Sequence, residues 1–190
     1  MFTLETVSRP VANDEWQTKL AEIARTQFAG ALQLVSPEEQ NVSIVRKSEL
    51  EQHKSLTIYQ MLDLQKGLVE LQTNILSPGY SLRPNRIIIR SPRVLLMGFE
   101  RSHELEADLV AIRSLLTNIS GRHAEPRTNY TNVRLGSVVG QNNEQTGIFR
   151  DIIHVVTDHV MPTHVNFGRL VIDSLRTEQH QSRKSILTLS

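Results

Sequence analysis

The chain of 190 residues contains no cysteine. That excludes disulfides, thiolate zinc sites and a cysteine nucleophile, and it fits a reducing compartment. Aromatic residues make up only 5% of the chain, too few for the base-stacking platforms of single-strand binders. Neither sign of charge dominates: 21 Lys and Arg face 20 Asp and Glu, a net of +1. Nothing global therefore demands nucleic acid or an anionic membrane. No apolar run approaches the roughly 20 residues of a membrane span. The opening MFTLETVSRP lacks the apolar stretch of a signal peptide. The chain reads as cytoplasmic. Gly-x-x-x-x-Gly-Lys-Ser/Thr, Gly-x-Gly-x-x-Gly and Gly-x-Ser-x-Gly are all missing. Phosphate-loop, dinucleotide and nucleophile-elbow chemistry have no support.

What is present is an alternation of strand and helix patterns. Phe2 and Leu4 sit in an alternating run, a first strand. Asn13 and Asp14 can cap a helix carrying Trp16, Leu20, Ile23 and Phe28, with Gly30 as its stop. Strands follow at 32–35 and 42–45, with Ser36-Pro37-Glu38-Glu39 as the turn between them. Ile58, Met61, Leu62, Leu68, Leu71 and Ile75 form a second helical stripe, closed by Ser77-Pro78-Gly79. Two apolar runs, 87–89 and 94–97, flank Ser91-Pro92. Ser102 can cap a third helix with Leu105, Leu109, Ile112, Leu116 and Ile119 on one face, and Gly121 stands at its stop. A polar loop at 122–129 leads to a strand at 130–139, and a second loop at 140–143 leads to a fourth helix with Ile152, Val156 and Val160. Val165, Phe167, Leu170 and Ile172 make a final strand. The class is α+β, and no Pro/Gly/Ser-rich linker divides it. Residues 1–176 read as one domain of two similar lobes, and 177–190 as a loose tail.

One pattern occurs twice. Asn41-Val42-Ser43-Ile44 follows Pro37, and ninety-one residues later Asn132-Val133-Arg134-Leu135 follows Pro126. With Pro92-Arg93-Val94-Leu95-Leu96-Met97-Gly98 between them and 166–174 after them, the order of elements resembles the two-histidine (2H) phosphoesterases. The best-known branch is the bacterial RNA 2′,3′-cyclic phosphodiesterase, also called 2′-5′ RNA ligase. The resemblance implies a bilobal fold with a pseudo-twofold, each lobe offering one His-x-Thr/Ser motif to a central cleft. It spans roughly residues 1–176, and element order carries it more than any single motif.

Set against that family, both motif histidines fall on asparagine here, Asn41 and Asn132. Ser43 keeps the first hydroxyl, and Arg134 replaces the second. Opening a cyclic phosphate needs one group to take a proton from water and another to give one to the leaving oxygen. Asn has donors and an acceptor but no proton that titrates near neutral pH. An Arg on a cleft floor, however, can hold a phosphate through paired hydrogen bonds. The resemblance therefore implies a catalytically impaired relative whose cleft residues Asn41, Ser43, Asn132 and Arg134 bind a nucleotide or other phosphorylated small molecule, ahead of an RNA end. No metal, cofactor or catalytic residue is expected.

Two other readings stand beside it. One is an active phosphodiesterase with a rearranged site, using His53, from the run His53-Lys54-Ser55-Leu56-Thr57, or His164. The other is an interaction module with a vestigial cleft. His154 and His159 are five apart, off the spacing that puts two ligands on one helix face. His103, His123 and His180 lie in or beside polar stretches and read as solvent-facing. Arg86 and Arg90 lie at even spacing and read as a basic stripe on a solvated sheet face.

Overall fold

Local capping sets three of the four helices, as a computed structural model shows for residues 2–46, 56–90, 93–121, 131–139, 145–178 and 181–188. Helix α1 (Glu15–Thr26) starts in a capping box at Asp14, whose backbone N–H donates to the Gln17 side chain at 2.8 Å. Helix α2 (Ile58–Asn74) starts in another at Thr57. Helix α3 (His103–Ser120) starts at Ser102, whose hydroxyl accepts the Leu105 N–H at 3.2 Å, and ends on left-handed Gly121 at φ 67°. Helix α4 is Gln145–His159.

Among the described residues there are ten strands: β1 (Phe2–Pro10), β2 (Leu32–Leu34), β3 (Asn41–Arg46), β4 (Tyr80–Leu82), β5 (Pro84–Arg90), β6 (Val94–Phe99), β7 (Asn132–Val138), β8 (Val165–Phe167), β9 (Val171–Glu178) and β10 (Gln181–Thr188). Every pairing is antiparallel. The main sheet runs β10-β9-β1-β3-β7-β6-β5, and β2 also pairs with β7. One lobe holds β10, β9, β1 and β3, with α3 packed on β3 and α2 on α3. The other holds β7, β6, β5 and β2, with α4 against β5 and α1 against β2. The architecture is thus α+β: two pseudo-twofold-related lobes of antiparallel sheet with outer helices around a central cleft.

The lobes meet at one strand-to-strand junction. Only Val42 and Val133 are paired between β3 and β7, because β2 occupies the rest of that edge, from Leu34 opposite Gly136 to Leu32 opposite Val138. A short 3-10 turn, Pro37–Glu39, carries the chain from one partner to the other. Gln17 pins this turn: besides capping α1, it donates to the buried Gln40 side chain at 2.8 Å. The Gln40 carbonyl in turn accepts the Val11 N–H at 2.9 Å. The core lies between sheet and helices and includes Val7, Leu20, Ile44, Leu68, Met97, Ile112, Leu135 and Val156.

Several expectations need correcting. The predicted final strand is two strands: β8 leaves the main sheet and pairs with β4 in a separate ribbon. β4 itself escapes a pattern search because it has three residues. Residues 181–188, expected to be loose, form β10, paired with β9 from Gln181 opposite Glu178 to Thr188 opposite Val171. α1 ends at Thr26, ahead of Gly30, which instead adopts a left-handed φ of 75° in the following turn. The strand expected over 130–139 is Asn132–Val138. The predicted loops at 122–129 and 140–143, the Ser91-Pro92 bend, His53, His123 and His180 lie outside the described residues.

A buried ion pair is the main surprise of the core. Arg9 on β1 is fully buried and meets the equally buried Asp108 on α3, with Nε 2.5 Å from Oδ2 and Nη2 3.0 Å from Oδ1. The rest of its guanidinium donates to the carbonyls of Ser77 and Gly168 at 2.9 and 3.0 Å. The Tyr80 ring lies 4.8 Å from the Arg9 guanidinium carbon, and its hydroxyl donates to Asp108 at 2.9 Å. Burial pushes the Tyr80 phenol well above its ordinary range, and the Asp108 carboxylate pushes it further. Strand, helix and ribbon are tied together here.

Candidate functional site

Alternation on the two junction strands decides which side chains share a face. Val42 and Val133 are 1% and 0% exposed and point into the packing under the helices. Their neighbours therefore point the other way. Asn41 and Ser43 flank Val42, and Asn132 and Arg134 flank Val133. Continuing the antiparallel register from that pair sets Asn41 across from Arg134, and Ser43 across from Asn132. The four residues singled out in the sequence thus come together on one face of two adjoining strands.

Each has a distinct environment. Asn132 is buried, Asn41 and Ser43 are half-buried, and Arg134 is exposed. The Asn41 amide donates to the Glu39 carbonyl at 3.1 Å, which ties it back to the turn. The Ser43 hydroxyl lies 3.4 Å from the Asn41 amide oxygen, a long contact that a ligand can replace at little cost. Arg134 donates to the Ser137 hydroxyl at 3.0 Å, along its own strand. Near the turn, the Glu38 carboxyl is held below its usual value, first by a backbone hydrogen bond and then by Ser36.

The face extends beyond these four. Asn132 is paired with Gly98 on β6, and Gly98 with Arg86 on β5. On the other side, Ser43 is paired with the buried Ser8 of β1. A row of Arg86, Gly98, Asn132, Ser43 and Ser8 crosses from one lobe into the other. Arg86 is exposed, as expected of a stripe on a solvated sheet face. Its even spacing with Arg90 was the signal available; its nearness to Asn132 was not in the sequence.

Imidazoles lie elsewhere. Among the described residues, none sits on β3 or β7. His103 opens α3, and His154 and His159 are on α4, where His154 faces Asp158 at 2.9 Å on the surface. His164 is exposed and precedes β8, in the ribbon rather than the main sheet. Among the described residues no three His, Asp or Glu gather as a metal site would require. No helix among them is long and apolar enough to cross a membrane.

Two carboxamides, a hydroxyl and a guanidinium offer many donors and no group that cycles a proton near neutral pH.

No family model and no curated protein sequence matches the chain. Solved structures do. LigT of E. coli in apo form superposes at a TM-score of 0.60 with 10% identity, covering 98% of this chain and 96% of that one. The same protein complexed with 3′-AMP gives 0.55 and 13% over 98% and 96%. A crystal structure described as a phosphoesterase gives 0.58 and 12% over 97% and 96%. The chain has the fold of the LigT-like 2H phosphoesterases along nearly its whole length.

Proposed function

We propose that this protein is a cytoplasmic binder of phosphorylated nucleotides that holds its ligand in the cleft between the lobes and does not open cyclic phosphates. The observation that supports this is the meeting of Asn41, Ser43, Asn132 and Arg134 around the Val42–Val133 pair. On this reading Asn41 and Asn132 stand where the similar phosphoesterases carry their two histidines. Losing one acid–base group typically costs about 10²–10⁴ in rate. Losing both need not multiply, because such a pair acts as a unit. Binding does not need the lost protons: carboxamide N–H groups and the Ser43 hydroxyl still donate to phosphate oxygens. Because E. coli LigT has been crystallised with 3′-AMP, a nucleoside monophosphate is the first ligand to try. The reading takes no metal or cofactor.

Arg134 is the residue on which the reading turns. It has to exchange a hydrogen bond to the neutral Ser137 hydroxyl for paired bonds to an anionic phosphate, in which both partners carry charge and the planar fork matches two oxygens. The test is calorimetric titration of 3′-AMP into wild type and Arg134→Thr. Wild type should bind, and the variant at least tenfold more weakly, since 1.4 kcal/mol is about a factor of ten. Binding that emerges only in the variant would make Arg134 a plug rather than a ligand, and the reading would fall.

A further inference from the structure

On the candidate face β5 and β7 carry Arg86, Arg90 and Arg134, and none of the strands β3, β5, β6 and β7 carries an Asp or Glu. A chain with near-balanced total charge has therefore kept acids off this part of its sheet. Within that field Arg86 has a special route. A side-chain carbon at Gly98 would lie 3.0 Å from both Cγ and Nε of Arg86, and 3.1 Å from the Asn132 amide oxygen. The space that any other residue would fill is thus shared by Arg86 and Asn132. Glycine inside a strand marks a place where something approaches the backbone closely. Here the Arg86 chain lies over Gly98 on β6, on the side where the Asn132 amide oxygen of β7 also stands.

We propose that Arg86, brought across Gly98, is the second cation of the cleft, and that it holds a phosphomonoester between Asn132 and Ser43. The proposal rests on the ligand-binding reading above and adds to it the class of group bound: a terminal phosphate dianion rather than a diester. On this proposal Arg86 approaches that position from β5, and Arg134 comes to it from β7 by leaving Ser137. A monoester offers three terminal oxygens to such a pair, whereas a diester or cyclic phosphate offers two and carries one charge. Paired N–H donors in a planar fork match the first better.

Arg86 is exposed, so Arg86→Gln leaves the core untouched. The experiment titrates 3′-AMP, adenosine and adenosine 2′,3′-cyclic phosphate into wild type, Arg86→Gln and Arg90→Gln. Arg90 lies four residues along the same strand and controls for loss of charge alone. Arg86→Gln should weaken 3′-AMP binding tenfold or more, cyclic phosphate binding less, and adenosine binding not at all. Arg90→Gln should change each by about twofold or less. Equal effects of the two variants on 3′-AMP would overturn the Arg86 subsite and leave the cleft reading standing. No binding of 3′-AMP or cyclic phosphate by wild type would overturn both.

Discussion

Arg9 is accommodated in the interior because every direction its guanidinium faces offers a partner: Asp108, two carbonyls and the Tyr80 ring. Such a pair is weak grounds for net stability, since desolvation offsets most of the attraction, but removing one member leaves the other stranded. Asp108→Ala should lower the unfolding free energy in urea by about 3–5 kcal/mol. The double variant Arg9→Met/Asp108→Leu should recover most of that. If Asp108→Ala unfolds like wild type, the network is not structural. The Tyr80 phenol belongs to the same network: its proton is held above the ordinary range, so its contribution is full below the unfolded pKa and is lost as pH rises past it. None of this was legible in the sequence. An Arg in an alternating strand reads as solvent-facing, and its partner is 99 residues away. Asn41 and Asn132 were legible as a repeated pattern, and the i, i+2 rule placed Ser43 and Arg134 beside them. That the two pairs adjoin in space came only from the family resemblance, because no local rule joins residues 41 and 132.

Strand β7 is the element on which the site depends, because it serves two neighbours on one edge. Its first residues meet β3 and present Asn132 and Arg134; its last residues meet β2. The handover needs β2 to press close. A methyl group at Gly136 would lie against the Gln33 carbonyl oxygen, nearer than real side chains come, and 3.0 Å from the Leu34 Cα. Both of these are backbone and cannot rotate away. Gly136→Ala should therefore displace β2 and cost about 1–3 kcal/mol by urea unfolding. A variant as stable as wild type would show that β2 has slack and does not fix the turn before Asn41. At this scale the sequence was informative wherever the signal was local. Asp14, Ser102 and Gly121 cap as expected, since a cap is set within four residues. The expectations that failed depended on distant partners. The expected final strand splits after Phe167 because the Gly168 N–H donates to the Pro10 carbonyl at 2.9 Å while β8 turns to β4. The segment 177–190 reads as a loose tail, yet β9 offers residues 181–188 an open edge.

The molecule as a whole combines the fold of LigT with a junction that carries two carboxamides, a hydroxyl and a guanidinium on one face. Two lobes, each with its own pair of helices, meet at the Val42–Val133 pair, and any ligand there touches both. A ligand present at 100 times its dissociation constant should stabilise the fold by about 2.7 kcal/mol, but stabilisation alone does not separate a binder from an enzyme. The central claim is binding without turnover, and phosphorus NMR of adenosine 2′,3′-cyclic phosphate mixed with the purified protein reads both at once. The account predicts a shifted or broadened cyclic-phosphate resonance that persists through prolonged incubation, with no 2′- or 3′-monophosphate signal growing in. Conversion of the cyclic signal to monophosphate at an ordinary enzymatic rate, about 1 s⁻¹ or faster, would contradict it and show that another acid–base pair works in this cleft.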